Sequence, residues 1–258
     1  MIKARDIAEV LRAMAPERYA YDFDNVGFLV GSEDKEIHKV YLCLDVDEET
    51  AKEAASLSAD MIISHHPVIF HAEKSLTDKT PLGRTLRILV QNDIAVYSAH
   101  TNLDIAYGGL NDYEAKLLGL EIIGELDTHS GDDHVCGRVC STNQSLLDLV
   151  KLVKDTYNLQ CIRYSGDLDR KINTVAICTG GGRSMISDCI KRNADVYITG
   201  DLSYSDIRDL HFNGIDYIEL SHYDSEIKVM QCLREVLRSK FKELPIVNST
   251  QKNIINYY

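Results

Sequence analysis

Met61-Ile62-Ile63-Ser64-His65-His66-Pro67 is an apolar run of strand type that ends in two adjacent histidines, and the proline after them stops the strand. Neighbouring side chains on a regular strand point to opposite faces, so both histidines can serve one site only if the strand ends there, which Pro67 requires. Outward from this stretch the same ingredients recur. Lys39-Val40-Tyr41-Leu42-Cys43-Leu44-Asp45 reads as a buried strand, and Asp47 to Ser58 as a helix with Glu48 and Glu49 in its first turn, where the dipole favours them. Downstream, residues 81–92 read as a helix and Ile94 to Ala99 as a strand running into His100-Thr101-Asn102-Leu103-Asp104. A third strand, Tyr217-Ile218-Glu219-Leu220, leads into Ser221-His222-Tyr223-Asp224-Ser225-Glu226, with Ser221 and Asp224 placed to start a helix. Strands alternating with helices predict parallel sheets joined by right-handed crossovers. Parallel α/β sheets place ligands at the C-terminal ends of their strands, and we read these three strand ends as one metal site.

The remaining chain fits this frame. Residues 2–14 carry Ile2, Ile7, Val10, Leu11 and Met14 on one helical stripe, ended by Pro16. Asp22 to Gly31 is a turn with two glycines around a short strand, and Asn111 to Leu118 reads as a helix. The polar stretch Asp127-Thr128-His129-Ser130-Gly131-Asp132-Asp133-His134 looks like a seam. Setting Val40 against Val175 without a gap aligns Cys43 with Cys178, Ala59-Asp60 with Ala194-Asp195, and Ile63 with Ile198. A second register puts His100 on His222 and Asp104 on Glu226. The expectation is an α/β protein of two similar halves, 1–126 and 127–258, arising by internal duplication and facing each other across a shared cleft.

Net charge is −12, which argues against sequence-independent nucleic-acid binding, since that needs clustered Lys and Arg. It leaves a small anionic substrate open, because a bound cation can reverse the local field. No window approaches the roughly 20 apolar residues of a membrane span, and the N-terminus lacks a signal-peptide core, so a cytoplasmic protein is expected. The seven scattered cysteines form no Cys-x-x-Cys pair and are read as reduced and mostly buried.

Imidazole is a common ligand for Zn, Fe, Ni and Mn-like sites. The bland alternative for His65 and His66 is two loop histidines satisfied by water. His222 and Glu226 lie one helical turn apart on one face, where they can share an ion or form an ordinary polar pair. Asp104 follows His100 at the same spacing and offers a hard oxygen ligand, or a turn-forming carboxylate. Gly180-Gly181-Gly182 joins a strand to a helix, so its amides can cradle an anion or simply make a tight turn; no Gly-Lys-Ser/Thr closes it as a Walker loop. There is no Gly-x-Ser-x-Gly elbow.

Taken together, Phe23-Asp24-Asn25-Val26-Gly27, Ile63-Ser64-His65-His66-Pro67, His100-Thr101-Asn102-Leu103-Asp104, Thr199-Gly200-Asp201 and Ser221-His222-Tyr223-Asp224-Ser225-Glu226 resemble, in order and over nearly the whole chain, the Nif-three-like family of type-two GTP cyclohydrolase homologues. The resemblance implies two intertwined three-layer α/β/α halves, a dinuclear divalent-metal site and a ring-like homohexamer. On that pattern His65 and His66 each bind one ion, Asp104 joins one of them, His222 the other, and Glu226 bridges both. One departure follows Asp201: where the family often has a histidine, this chain reads Leu202-Ser203-Tyr204-Ser205.

The expected function is a dinuclear metal-dependent hydrolase acting on a nucleotide-like substrate such as GTP, opening its imidazole ring. His100 would relay protons, and Gly180 to Gly182 would hold phosphate. The alternative is a non-catalytic metal-binding protein, either a metal carrier or an oligomeric scaffold. His and carboxylate donors without a thiolate suit Zn, Fe, Mn or Ni about equally.

Overall fold

The structure is a computed structural model and describes residues 1–126 and 136–256. The expected seam at 127–134, with its His129 to His134 loop, lies outside the described residues. In chain order the elements are α1 (Ala4–Met14), β1 (Gly27–Val30), β2 (Val40–Cys43), α2 (Glu48–Ser56), β3 (Met61–Ser64), α3 (Pro81–Gln91), β4 (Ala95–Ser98), α4 (Thr101–Ile105), α5 (Leu110–Leu117), β5 (Glu121–Glu125), β6 (Arg138–Ser145), α6 (Leu146–Thr156), β7 (Arg163–Ser165), β8 (Lys171–Gly181), α7 (Ile186–Lys191), β9 (Val196–Gly200), α8 (Tyr204–Phe212), β10 (Asp216–Glu219), α9 (His222–Glu226), α10 (Val229–Lys240) and β11 (Ile246–Asn248).

They form two compact units. The first comprises Met1–Leu103 and Val229–Lys252. Its sheet has the order β1-β4-β3-β2-β11, parallel except for β1. Every residue of β2, β3 and β4 is buried, as expected when helices cover both faces of a parallel sheet. Tyr41, Cys43, Ile62 and Val96 point to one face, against Ala51 and Ala54 of α2 and Leu86 and Leu89 of α3. By alternation Val40, Leu42, Met61 and Ile63 point to the other, on which α10 lies beside α1. The helices start where side chains can cap them. Asp47 accepts from the Thr50 amide, and Thr80 accepts from the Gly83 amide with Pro81 at the first helical position.

The second unit runs from Asp104 to Lys228, with the segment beginning at Asn253. Its sheet has the order β5-β6-β8-β9-β10-β7, in which β8, β9 and β10 are parallel. Leu146, Leu149 and Val153 of α6 pack with Ala115 and Leu118 against Val175, Ile177, Val196, Ile198 and Ile218. The parallel cores of the two units share their connectivity. In β2/β3 the partners are Val40↔Met61 and in β8/β9 they are Val175↔Val196, the same offset in both.

The compact units divide the chain at 103/104, 228/229 and 252/253, where the sequence suggests one division at 126/127. The physical reason is pairing: β5 joins β6 antiparallel in the second sheet, while β11 returns to lie parallel to β2 in the first. Among the described residues no helix is long and apolar enough to cross a membrane. The cysteines are all free, and only Cys161 is exposed.

Candidate metal centre

In the first unit the strand ends gather three histidines. The pairing of β2 with β3 continues one step past the strands, since the His66 amide donates to the Leu44 carbonyl at 3.0 Å. That places Asp45 alongside His66, and His66 Nδ1 lies 2.7 Å from Asp45 Oδ1. The other Asp45 oxygen accepts from Gln251 Nε2 at 3.1 Å, so the carboxylate is itself held. His65 is fully buried, with Nδ1 2.7 Å from the Ala99 carbonyl oxygen. A carbonyl can only accept, so Nδ1 of His65 carries the proton and Nε2 carries the lone pair.

His100 Nδ1 lies 2.9 and 3.0 Å from the two oxygens of Asp24. Asp24 also accepts from the Thr101 amide at 3.1 Å, the Thr101 hydroxyl at 2.5 Å and the Asn25 amide at 2.8 Å. Burial pushes the Asp24 carboxyl up, but the bonds from His100 and Thr101 outweigh it and hold the group at about 2. An ionised Asp24 accepts only, which fixes the His100 proton on Nδ1 as well. One ring nitrogen from each of His65, His66 and His100 lies within 4.8 Å of the others. Ser64 pins the strand end, its hydroxyl donating to the His66 carbonyl at 2.8 Å.

In the second unit the donors surround the ends of β8 and β10. The Ser221 hydroxyl caps α9 by accepting from the Asp224 amide at 3.0 Å, as its sequence predicts. His222 Nε2 lies 3.1 Å from Glu226 Oε2, and His222 Nδ1 lies 2.8 Å from Asp201 Oδ2. The hydrogen bond with Glu226 raises the His222 pKa against the opposing effect of burial, and Asp201 adds to it, bringing it to about 9. Asp201 holds a left-handed backbone, φ 57°, a strained conformation of the kind that gathers at functional sites. Asp104, nearly buried, accepts from the Thr179 hydroxyl at 3.3 Å, while Asn111 donates to the Asp104 carbonyl at 3.0 Å. Thr179 and Gly180, consecutive on β8, thus sit against Asp104 and Glu226 in turn.

The glycine run, for which the sequence leaves an anion cradle and a tight turn open, is partly engaged inside the protein. The Gly180 amide donates to Ser225 Oγ at 2.9 Å and the Gly182 amide to Thr199 Oγ1 at 3.1 Å, so two of the three amides are used inside the protein. Gly180 has φ +66°, and a Cβ there would lie 2.2 Å from Glu226 Oε1; it is glycine so that the carboxylate can approach the strand.

Sequence reasoning picked out the donors and missed what orients them: Asp24 for His100, Asp45 for His66, Asp201 for His222, and Asn111 for the backbone of Asp104. For His65, His66, His100 and His222 alike, Nδ1 faces a carboxylate or carbonyl oxygen, so that Nε2 is the nitrogen that would take a cation. That is the arrangement of metal-ligating histidines whose second nitrogen is held by an outer partner. With nitrogen and carboxylate oxygen donors and no thiolate among them, these groups fit a divalent cation of borderline character.

Comparison with known proteins agrees with this picture. Residues 2–254 match the Duf34/NIF3 (NGG1p interacting factor 3) family. The chain is 37% identical over 245 residues to a Clostridium perfringens protein named GTP cyclohydrolase 1 type 2 homolog, covering 92% of this chain and 94% of the relative. The structure of reduced HcgD from Methanocaldococcus jannaschii superposes with a TM-score of 0.85 at 31% identity, over 97% of this chain and 98% of that one. A Bacillus cereus protein related to NIF3 has the same fold, with a TM-score of 0.88 at 22% identity over 100% and 99% of the two chains. With the family match spanning residues 2–254 and relatives at this identity over nearly their whole length, this chain belongs to the Duf34/NIF3 family.

Proposed function

We propose that the chain is a divalent-metal-dependent hydrolase acting on a nucleotide-like substrate, with ring opening of GTP the first reaction to test. The observation that carries this is the common tethering of the imidazoles, each with Nδ1 tied back to a carboxylate or carbonyl oxygen. The names of the relatives support the choice of GTP. In this reading His65, His66, Asp104, His222 and Glu226 would hold the metal.

When bound, the metal supplies Lewis-acid polarisation and a water of lowered pKa. The protein's own groups do the rest. His100 accepts a proton at Nε2, and the ionised Asp24 on its Nδ1 stabilises the imidazolium that forms. Asp45, Asp201 and the Ala99 carbonyl keep the remaining imidazoles from turning.

The test is to load metal-free protein separately with Zn, Fe, Mn and Ni and follow pterin fluorescence from GTP, with ATP and inosine triphosphate alongside. A fluorescent product that disappears in His66→Ala is the expected result. Absence of turnover with every metal and nucleotide rejects the hydrolase. We further propose a homohexamer, read out as the particle mass in multi-angle light scattering.

A further inference from the structure

We propose that Phe23 and Phe70 form a stacking shelf for the planar heteroaromatic base of the substrate, beside His100. This rests on the nucleotide-like substrate proposed above and names the part of the protein that would recognise its ring. Phe23 is 64% exposed and Phe70 39% exposed, although the chain has only five phenylalanines and no tryptophan with which to build its core. Large apolar rings left in water are unfavourable and mark a binding surface when they are grouped.

These are grouped. The Phe23 and Phe70 rings lie 6.4 Å apart at 52°, and Tyr21 stacks on Phe23 at 5.5 Å and 23°. Phe70 in turn meets the His100 ring edge-on, at 6.4 Å and 75°. The shelf therefore runs from open surface up to an imidazole of the histidine cluster.

It is also built in advance. Asn25 Nδ2 donates to the Ile69 carbonyl at 2.5 Å, tying the turn that bears Phe23 to the residue before Phe70. The Tyr21 amide donates to Thr101 Oγ1 at 3.2 Å, and the buried Asp24 is anchored on His100 and Thr101. Phe23 is held facing outward because its neighbour Asp24 is held facing inward. A surface prepared in this way loses little freedom on binding. The exposed Asp22 next to Phe23 in the chain disfavours a phosphate there and leaves the uncharged ring as the group that fits. Base stacking on aromatic side chains tolerates many ring types and changes affinity about tenfold to a hundredfold on alanine substitution.

The test measures binding and not turnover. Metal-loaded full-length protein is titrated calorimetrically with guanosine, GTP and inorganic triphosphate. Wild type is expected to bind guanosine and GTP. Phe23→Ala/Phe70→Ala is expected to weaken both at least tenfold, with triphosphate affinity, metal content and thermal midpoint unchanged. Phe23→Tyr/Phe70→Tyr is expected to retain binding, whereas Phe23→Leu, which keeps bulk without a π face, is expected to lose it. The proposal is overturned if wild type ignores guanosine or if the alanine pair binds it normally. It is equally overturned if the alanine pair changes the particle mass, which would make the shelf a contact with a second copy. Guanosine binding without turnover would retire the hydrolase and leave the shelf; turnover with an unchanged KM in the alanine pair would do the reverse.

Discussion

An imidazole can hold a cation through either ring nitrogen, and the partner of the other nitrogen decides which. Asp45→Asn keeps the shape of the carboxylate that holds His66 but weakens its hold on Nδ1. Loss of such an outer partner lowers metal affinity about ten- to a hundredfold, to be read by competition with a chromogenic chelator. Equal affinity in wild type and Asp45→Asn would mean that the carboxylate does not orient the ring.

Asp24 carries an acid dependence whose sign is fixed by its depressed pKa. The stabilisation is complete above the ordinary carboxylate range and is lost as pH falls toward about 2. Acid unfolding of Asp24→Asn, followed by circular dichroism, should therefore be shallower between pH 4 and 2 than that of wild type (window from the ordinary Asp range, roughly 4). At this scale the donors are legible in sequence because each sits just past an apolar run. Their partners are not, since Asp45 is 21 residues from His66 and Asp24 is 76 residues from His100. Only the β2/β3 register, which no single strand reveals, sets Asp45 beside His66.

Secondary elements carry the site by where they stop. Near its end β8 sets Thr179 and Gly180 against Asp104 and Glu226, and nothing larger than glycine fits at the second position. Gly180→Ala should destabilise the protein by about 1–3 kcal/mol from backbone strain alone, and more from the collision with Glu226. A thermal melt within a degree of wild type would show that the strand end yields. Helix α9 is legible from Ser221, because a capping side chain acts on residues next to it in sequence, and α2 from the acidic first turn at Glu48 and Glu49. The strands β2, β3, β4, β8, β9 and β10 were readable from apolar runs. β7 and β11 were not, being three residues each and specified by the strands they pair with. The glycine run shows the limit of motif reading: its composition suits both a ligand cradle and a close approach, and only the positions of Ser225, Thr199 and Glu226 separate the two.

For the molecule as a whole, a cation that binds only the folded chain adds stability by mass action, about 2.7 kcal/mol at a hundredfold excess over Kd. Chelator treatment should thus lower the thermal midpoint by several degrees, and the drop should depend on the free metal concentration. An unchanged midpoint would argue that the donors are not a folded-state metal site. The two-unit α/β plan was legible from the alternation of strand and helix. The unit boundaries were not, because membership is decided by strand partners and not by composition. The most distant of these partnerships has a consequence for biosynthesis. Gln251 accepts from the Leu44 amide 207 residues away and steadies Asp45, the carboxylate that holds His66. A growing polypeptide reaches His66 early, yet the support for that ring is made much later, at Gln251. Until then the β2 edge that β11 will cover stands open. The aim of His66 thus waits on a segment made long after the ring itself, an order set by the chain.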